Sequence, residues 1–148
     1  MATAGASIEA ARVSGERIAT QIDTADTATF TTTETIVSTV VAALVASRTY
    51  RVRFVGTFQS DVADDMMNSR LREDNAAGTQ LQLRRAQSPT ATAGSGVGMD
   101  VEAEYTAVAT GNKTFVATGV RSTPGTGNIT CEGAATQPRY LYVDYIRG

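Results

Sequence analysis

Glu102 and Glu104 are residues whose type and spacing could do chemistry. Two residues apart on an alternating segment, they share one strand face about 7 Å apart by strand rise. Paired carboxylates at such separations can act as acid and base, or acid and nucleophile, on a glycosidic bond. Polar alternation on a solvated strand produces the same spacing, however, and no tryptophan or tyrosine cluster lies nearby in sequence to seat a sugar. Asp61, Asp64 and Asp65 form a second acidic group with oxygen ligands for Ca²⁺, but without the ordered Asp-x-Asp-x-Asp-Gly spacing of a dedicated loop. Gly94-Ser95-Gly96-Val97-Gly98 is glycine-rich but lacks the lysine of a phosphate loop and runs into a strand pattern, so no helix N-terminus would face a phosphate.

The rest of the inventory is spare. With no histidine there is no imidazole base and no Ser-His-Asp arrangement. The single cysteine, Cys131, rules out a cysteine-ligated zinc or iron–sulfur site within one chain. It shares the parity of Ile129 and reads as a buried, inert thiol. The expectation is a protein that is not an enzyme, with no catalytic, cofactor-binding or metal-ligating residues.

Charge suggests binding instead. The 148 residues carry a formal charge of −2 with no basic cluster, which disfavours nucleic acid. All but one of the basic residues are arginine, whose planar fork suits protein interfaces. Arg51 and Arg53 on one strand, Arg70 and Arg72 on the next, and Glu102 and Glu104 elsewhere could form an ion-pair ladder if opposed across sheets or subunits.

The elements that must position these residues are strands. Between positions 48 and 60, Tyr50, Val52, Phe54 and Phe58 alternate with Arg51, Arg53, Thr57 and Gln59, the period of a half-buried strand. The pattern recurs often enough to predict an all-β fold: an antiparallel two-sheet sandwich of eight strands over residues 21–148, jelly-roll-like among the Greek-key possibilities. Segment 34–44 is apolar on both parities in its second half, as expected of a strand covered on both sides. Segments 66–73 and 79–85 form a hairpin with Leu81 and Leu83 inward. Met99, Val101, Ala103 and Tyr105 point inward opposite Asp100, Glu102 and Glu104, and Gly111-Asn112 turns the chain into a second hairpin with 113–120. Residues 88–98 form an exposed loop. The last strand, 139–147, is aromatic or apolar on both faces and should be central, or sealed by another subunit.

Residues 1–20 differ from the rest: alanine-rich, without aromatics, with Ser7 placed to cap a short helix and Gly15 to end it. They read as an N-terminal attachment arm whose Ile8, Ala11, Val13 and Ile18 would contact a partner. No basic region followed by an apolar one marks a secretory signal, and no stretch approaches a membrane span, so the expectation is a soluble protein made in the cytoplasm with no membrane partner.

Met1-Ala2-Thr3-Ala4-Gly5 with Ala11-Arg12-Val13, then Arg48-Thr49-Tyr50-Arg51-Val52, Leu71-Arg72-Glu73-Asp74, Val101-Glu102-Ala103-Glu104-Tyr105 and Tyr140-Leu141-Tyr142-Val143-Asp144-Tyr145-Ile146 resemble small virion structural proteins of tailed phages infecting actinobacteria. The resemblance lies in general style and motif order over nearly the whole chain, and brings no catalytic positions. It implies a β-sandwich on the virion surface, made in the host bacterial cytoplasm, either decorating the capsid or serving as a minor tail or tail-tip protein that binds a host receptor. It also implies a homo-oligomer, commonly a trimer, with the major capsid protein or another virion protein as partner. Interface candidates are then Arg51, Arg53, Arg70, Arg72, Glu102, Glu104, Tyr140 and Tyr142, together with the arm.

Overall fold

A computed structural model describes residues 15–89 and 96–147. Nine strands run in order: β1 (Arg17–Asp23), β2 (Thr35–Leu44), β3 (Thr49–Ser60), β4 (Met66–Glu73), β5 (Gln80–Gln87), β6 (Val97–Thr106), β7 (Gly111–Arg121), β8 (Ile129–Glu132) and β9 (Arg139–Arg147). The short helix expected between Ser7 and Gly15 lies outside the described residues, as do Ile8, Ala11 and Val13. β1 begins at Arg17, so positions 17–20 of the expected arm are strand, with Ile18 turned toward the core.

The strands form two antiparallel sheets. One runs β1-β9-β3-β6, and the other runs β2-β7-β4-β5. β8 shares one edge of β3 with β9: β9 covers Thr49 to Val55 and β8 covers Thr57 to Ser60. Leaving β8 aside, the pairings nest around the turn between β4 and β5: β4 with β5, β3 with β6, β2 with β7, β1 with β9. The chain is thus one long antiparallel ribbon folded over itself into two layers.

Between the layers lies a core of alternating inward residues. Tyr50, Val52, Phe54 and Phe58 of β3 are fully buried, as are Met67 and Leu71 of β4, Phe115 of β7 and Leu141 and Val143 of β9. Phe58 meets Phe30 and Phe54 edge-on, the arrangement favoured by the ring quadrupoles. Phe30 thereby pins the long connection after β1, and Gly119 permits its approach: a Cβ there would stand 2.5 Å from the Phe30 ring. Cys131 is buried beside Ile129, and burial pushes its thiol up to about 12.

Four local expectations need correction. β2 is an edge strand, not one covered on both sides: Ile36 and Val41 are exposed on its outer face. β6 and β7 do not form a hairpin, because β6 pairs with β3 in one sheet while β7 lies between β2 and β4 in the other. Gly111 and Asn112 open β7, and the connection at residues 107–110 carries the chain between layers. Leu83 lies opposite Arg70 on the outer face, since a register shift at Leu71/Arg72 offsets β5, while Leu81 still packs against the core. The strands number nine, not eight.

Arg139 clasps the two layers together. The register shift in β2 between Ile36 and Ser38 interrupts its ladder, and Arg139 Nε of β9 donates to the Val37 carbonyl there at 2.8 Å. Its Nη1 donates to the Ala25 carbonyl, and Asp23 lies 3.6 Å from Nε. Ser38 Oγ donates to the same Asp23 Oδ2 atom at 2.6 Å. A charged side chain only 7% exposed thus meets acceptors from β2, from β1 and from the connection between them.

Candidate interaction face

The outer face of the β1-β9-β3-β6 sheet gathers most of the candidate residues that are described: Arg51, Arg53, Glu102, Glu104, Tyr140 and Tyr142. Antiparallel register makes rows across it: Ile22, Tyr140, Val55 and Asp100, then Thr20, Tyr142, Arg53 and Glu102, then Arg17, Asp144, Arg51 and Glu104. Alternation along each strand dictates that these side chains share a face, and only the register decides which of them meet.

The charges meet within the sheet. Arg53 donates through Nε to Asp100 at 2.8 Å and through Nη2 to the other oxygen of the same carboxylate. Arg51 lies 3.5 Å from Glu102, and Arg147 is 3.1 Å from Glu104. The Arg53 hydrogen bond holds the Asp100 carboxyl below its usual range, and Asp100 in turn raises Arg53. The ladder expected across sheets or subunits is therefore formed between neighbouring strands β3 and β6 of one sheet. These pairs stand a third or more exposed, where screening keeps each weak. Arg53→Ala should lower stability by less than about 1 kcal/mol, and the loss should shrink further in high salt, as read by urea titration.

Aromatic residues flank this ladder. Tyr140 and Tyr142 are half-buried on the outer face, and the Arg17 guanidinium lies 3.6 Å from the Tyr142 ring centroid. Arg17 also bonds Asp144 at 2.9 Å, which raises its pKa and fixes it over the ring. The face is thus a salt-bridged strip bordered by an aromatic and aliphatic row, Ile22, Tyr140 and Val55.

Arg70 and Arg72 lie elsewhere, on the outer face of the second sheet, and converge on Glu34. Arg72 donates through Nε and Nη2 at 2.6 and 3.0 Å, while Arg70 and the Thr118 hydroxyl donate to the same carboxylate. Burial would raise the Glu34 carboxyl, but the bonds from Arg72 and Thr118 and the two guanidinium charges prevail and hold it below its usual range. Sequence reasoning missed Glu34, since it precedes its strand and is separated from its partners by more than thirty positions. Asp100 and Asp144 were legible as charged strand positions, but their partners depend on register.

The acidic turn after β3 serves a neighbouring loop. Asp65, buried, accepts from Ser60 Oγ at 2.7 Å and from the backbone N–H groups of Thr126 and Gly127 at 3.0 and 2.8 Å. Asp61 accepts from the backbone and side chain of Asn128 at 2.7 and 2.8 Å, and the side-chain bond chiefly holds its carboxyl below the usual range. Among the described residues no group of three or more acidic or cysteine side chains is arranged around a common metal position. No helix among them is long and apolar enough to cross a membrane.

The described residues thus define an antiparallel β-sandwich whose two outer faces carry organised arginine–carboxylate networks. No family model matches the chain, and no curated protein matches it. Solved structures similar to it include the VP2 subviral particle of infectious bursal disease virus, at TM-score 0.48 and 15% identity over 90% of this chain and 38% of that one. The Gx strain of the same virus gives TM-score 0.48 and 16% identity over 90% and 37%. CBM6-3 of Clostridium stercorarium in complex with cellobiose gives TM-score 0.33 and 8% identity over 84% and 87%. The chain spans little more than a third of the length of those VP2 chains. Likenesses this loose assign no role to any residue.

Proposed function

We propose that the protein is a structural component of a phage virion, most specifically a capsid decoration protein that docks on the assembled head and stabilises it without catalysis. The observation that carries this reading is the nested pairing of β4 with β5, β3 with β6, β2 with β7 and β1 with β9, wrapped into sheets β1-β9-β3-β6 and β2-β7-β4-β5. We read that order as a jelly-roll-like way of closing an all-β ribbon, an architecture recurrent in capsid and lectin domains.

Binding only the assembled lattice would stabilise the particle by mass action. The arm of residues 1–20, the face bearing Tyr140 and Tyr142, and self-association into a closed oligomer such as a trimer belong to this reading. The half-buried tyrosines at that face also suit the second reading, a minor tail or tail-tip protein that holds a host receptor. Quantitative mass spectrometry of purified virions separates the two. Decoration predicts copies in proportion to the major capsid protein on isolated heads. A few copies on isolated tails would replace it with the tail reading, and absence from particles would end both.

A further inference from the structure

The geometry points to a binding site for an acidic saccharide on the outer face of the β2-β7-β4-β5 sheet, in a hollow where Arg70, Arg85 and Arg121 converge. The inference stands apart from the virion reading, because it concerns what the isolated chain binds. The hollow, about 420 Å³, lies beside β4 and the end of β7 and is lined by these three arginines and by no carboxylate. Arg70 is paired with Glu34, so the positive field of the hollow comes chiefly from Arg85 and Arg121, and a concave surface focuses such a field on an anion.

The arginines are held in place by bonds that leave donors over. Arg85 donates through Nε to Asn68 Oδ1 at 2.9 Å, and Asn68 donates in turn to Ser122 Oγ at 2.6 Å. Arg85 is exposed, and the bond to Asn68 fixes its fork at the rim. Arg70 is anchored by Glu34 and Arg121 by the Gly127 carbonyl, while the Nε atom of each is buried with no partner. Asp61 feels the Arg121 charge, but its carboxylate is bonded to Asn128. Arginines with donors to spare take a carboxylate or phosphate through paired N–H groups.

The remaining lining argues for a sugar bearing that anion. Thr32, Ser122 and Thr123 line the same hollow with hydroxyls able both to donate and to accept, and Val120 and Met66 add apolar surface. A volume of about 420 Å³ exceeds what a bare oxyanion fills and falls at the lower end of the range for small-molecule sites.

The test is a titration of the full chain, followed by backbone amide NMR, with sodium glucuronate, glucose 1-phosphate, glucose and inorganic phosphate. Glucuronate, glucose 1-phosphate or both should give saturable shifts centred on Asn68, Arg85, Arg121 and Ser122, weakening as salt is raised. Arg85→Gln and Arg121→Gln should each weaken binding about tenfold or more, the scale of losing one charge-assisted contact. Arg85 is exposed, so Arg85→Gln should keep the parent thermal midpoint and separates loss of binding from loss of fold. Three results would each overturn the assignment: no saturable shift with either acidic sugar, glucose binding as well as glucuronate, or inorganic phosphate alone binding as tightly as both acidic sugars.

Discussion

Arg139→Met should be among the most damaging single changes in the molecule, lowering stability by about 3–5 kcal/mol in urea or thermal unfolding, the range for breaking a buried, hydrogen-bonded charge. The thioether fills part of the volume, so the loss reports chiefly on polar contacts. The change removes the donors to the Val37 carbonyl of β2 and the Ala25 carbonyl of the connection after β1, and leaves Asp23 of β1 without its cation. Both carbonyls would then lose a partner at a buried seam. Arg139→Lys should recover only part of the loss, because an ammonium cannot span the two acceptors with a planar fork. The account fails if Arg139→Met unfolds at the parent midpoint.

Glu34→Gln should be nearly as costly at neutral pH, about 2–4 kcal/mol, because it leaves the Arg70 and Arg72 guanidinium groups facing a neutral amide in a largely covered site. Its pH dependence is more diagnostic than its size. The folded state holds the Glu34 carboxyl below its usual range, so its contribution is fully present above the unfolded value of about 4.3 and is lost as pH falls through the lower folded value. The parent should therefore lose stability on acidification faster than the variant, and their difference should narrow toward pH 3. Asp61 and Asp100 are also held low, but they titrate in both proteins and cancel in that difference. A gap independent of pH would mean that Glu34 acts by shape and not by charge.

Local alternation carried the sequence reading where the answer was local. The inward set of β3, the inward Met99, Val101 and Ala103 of β6, and the central place of β9 all follow from which parity is apolar. What failed was non-local. Ile36 and Val41 gave β2 an apolar second face, but nothing within the strand says that no neighbour covers it. Gly111-Asn112 reads as a reversal of direction, which would serve equally for a hairpin and for a crossing between layers, and in the fold it opens β7. Leu83 was misplaced by one bulge, since a single extra residue turns the following positions over.

The candidate faces were legible to the same degree. The charges of Arg51, Arg53, Glu102 and Glu104 could be read from their strands, while the partnerships Arg53–Asp100 and Arg70–Glu34–Arg72 arise only once separated segments are in register. The hollow bounded by Arg70, Arg85 and Arg121 draws on three strands and could not be foreseen from any one of them.

The position of β9 bears on how the molecule is born. Its partners β1 and β3 emerge from the ribosome long before it, yet they are neighbours only through it. Until residues 139–147 are out, β1 lacks its sheet partner and the Thr49 to Val55 stretch of one flank of β3 stays bare, so the first layer cannot close. Maturation of this domain must then wait for β9 and proceed slowly, as expected where distant segments have to find each other. A nascent chain stalled before this segment should remain open to protease, and resistance should appear abruptly once it is added.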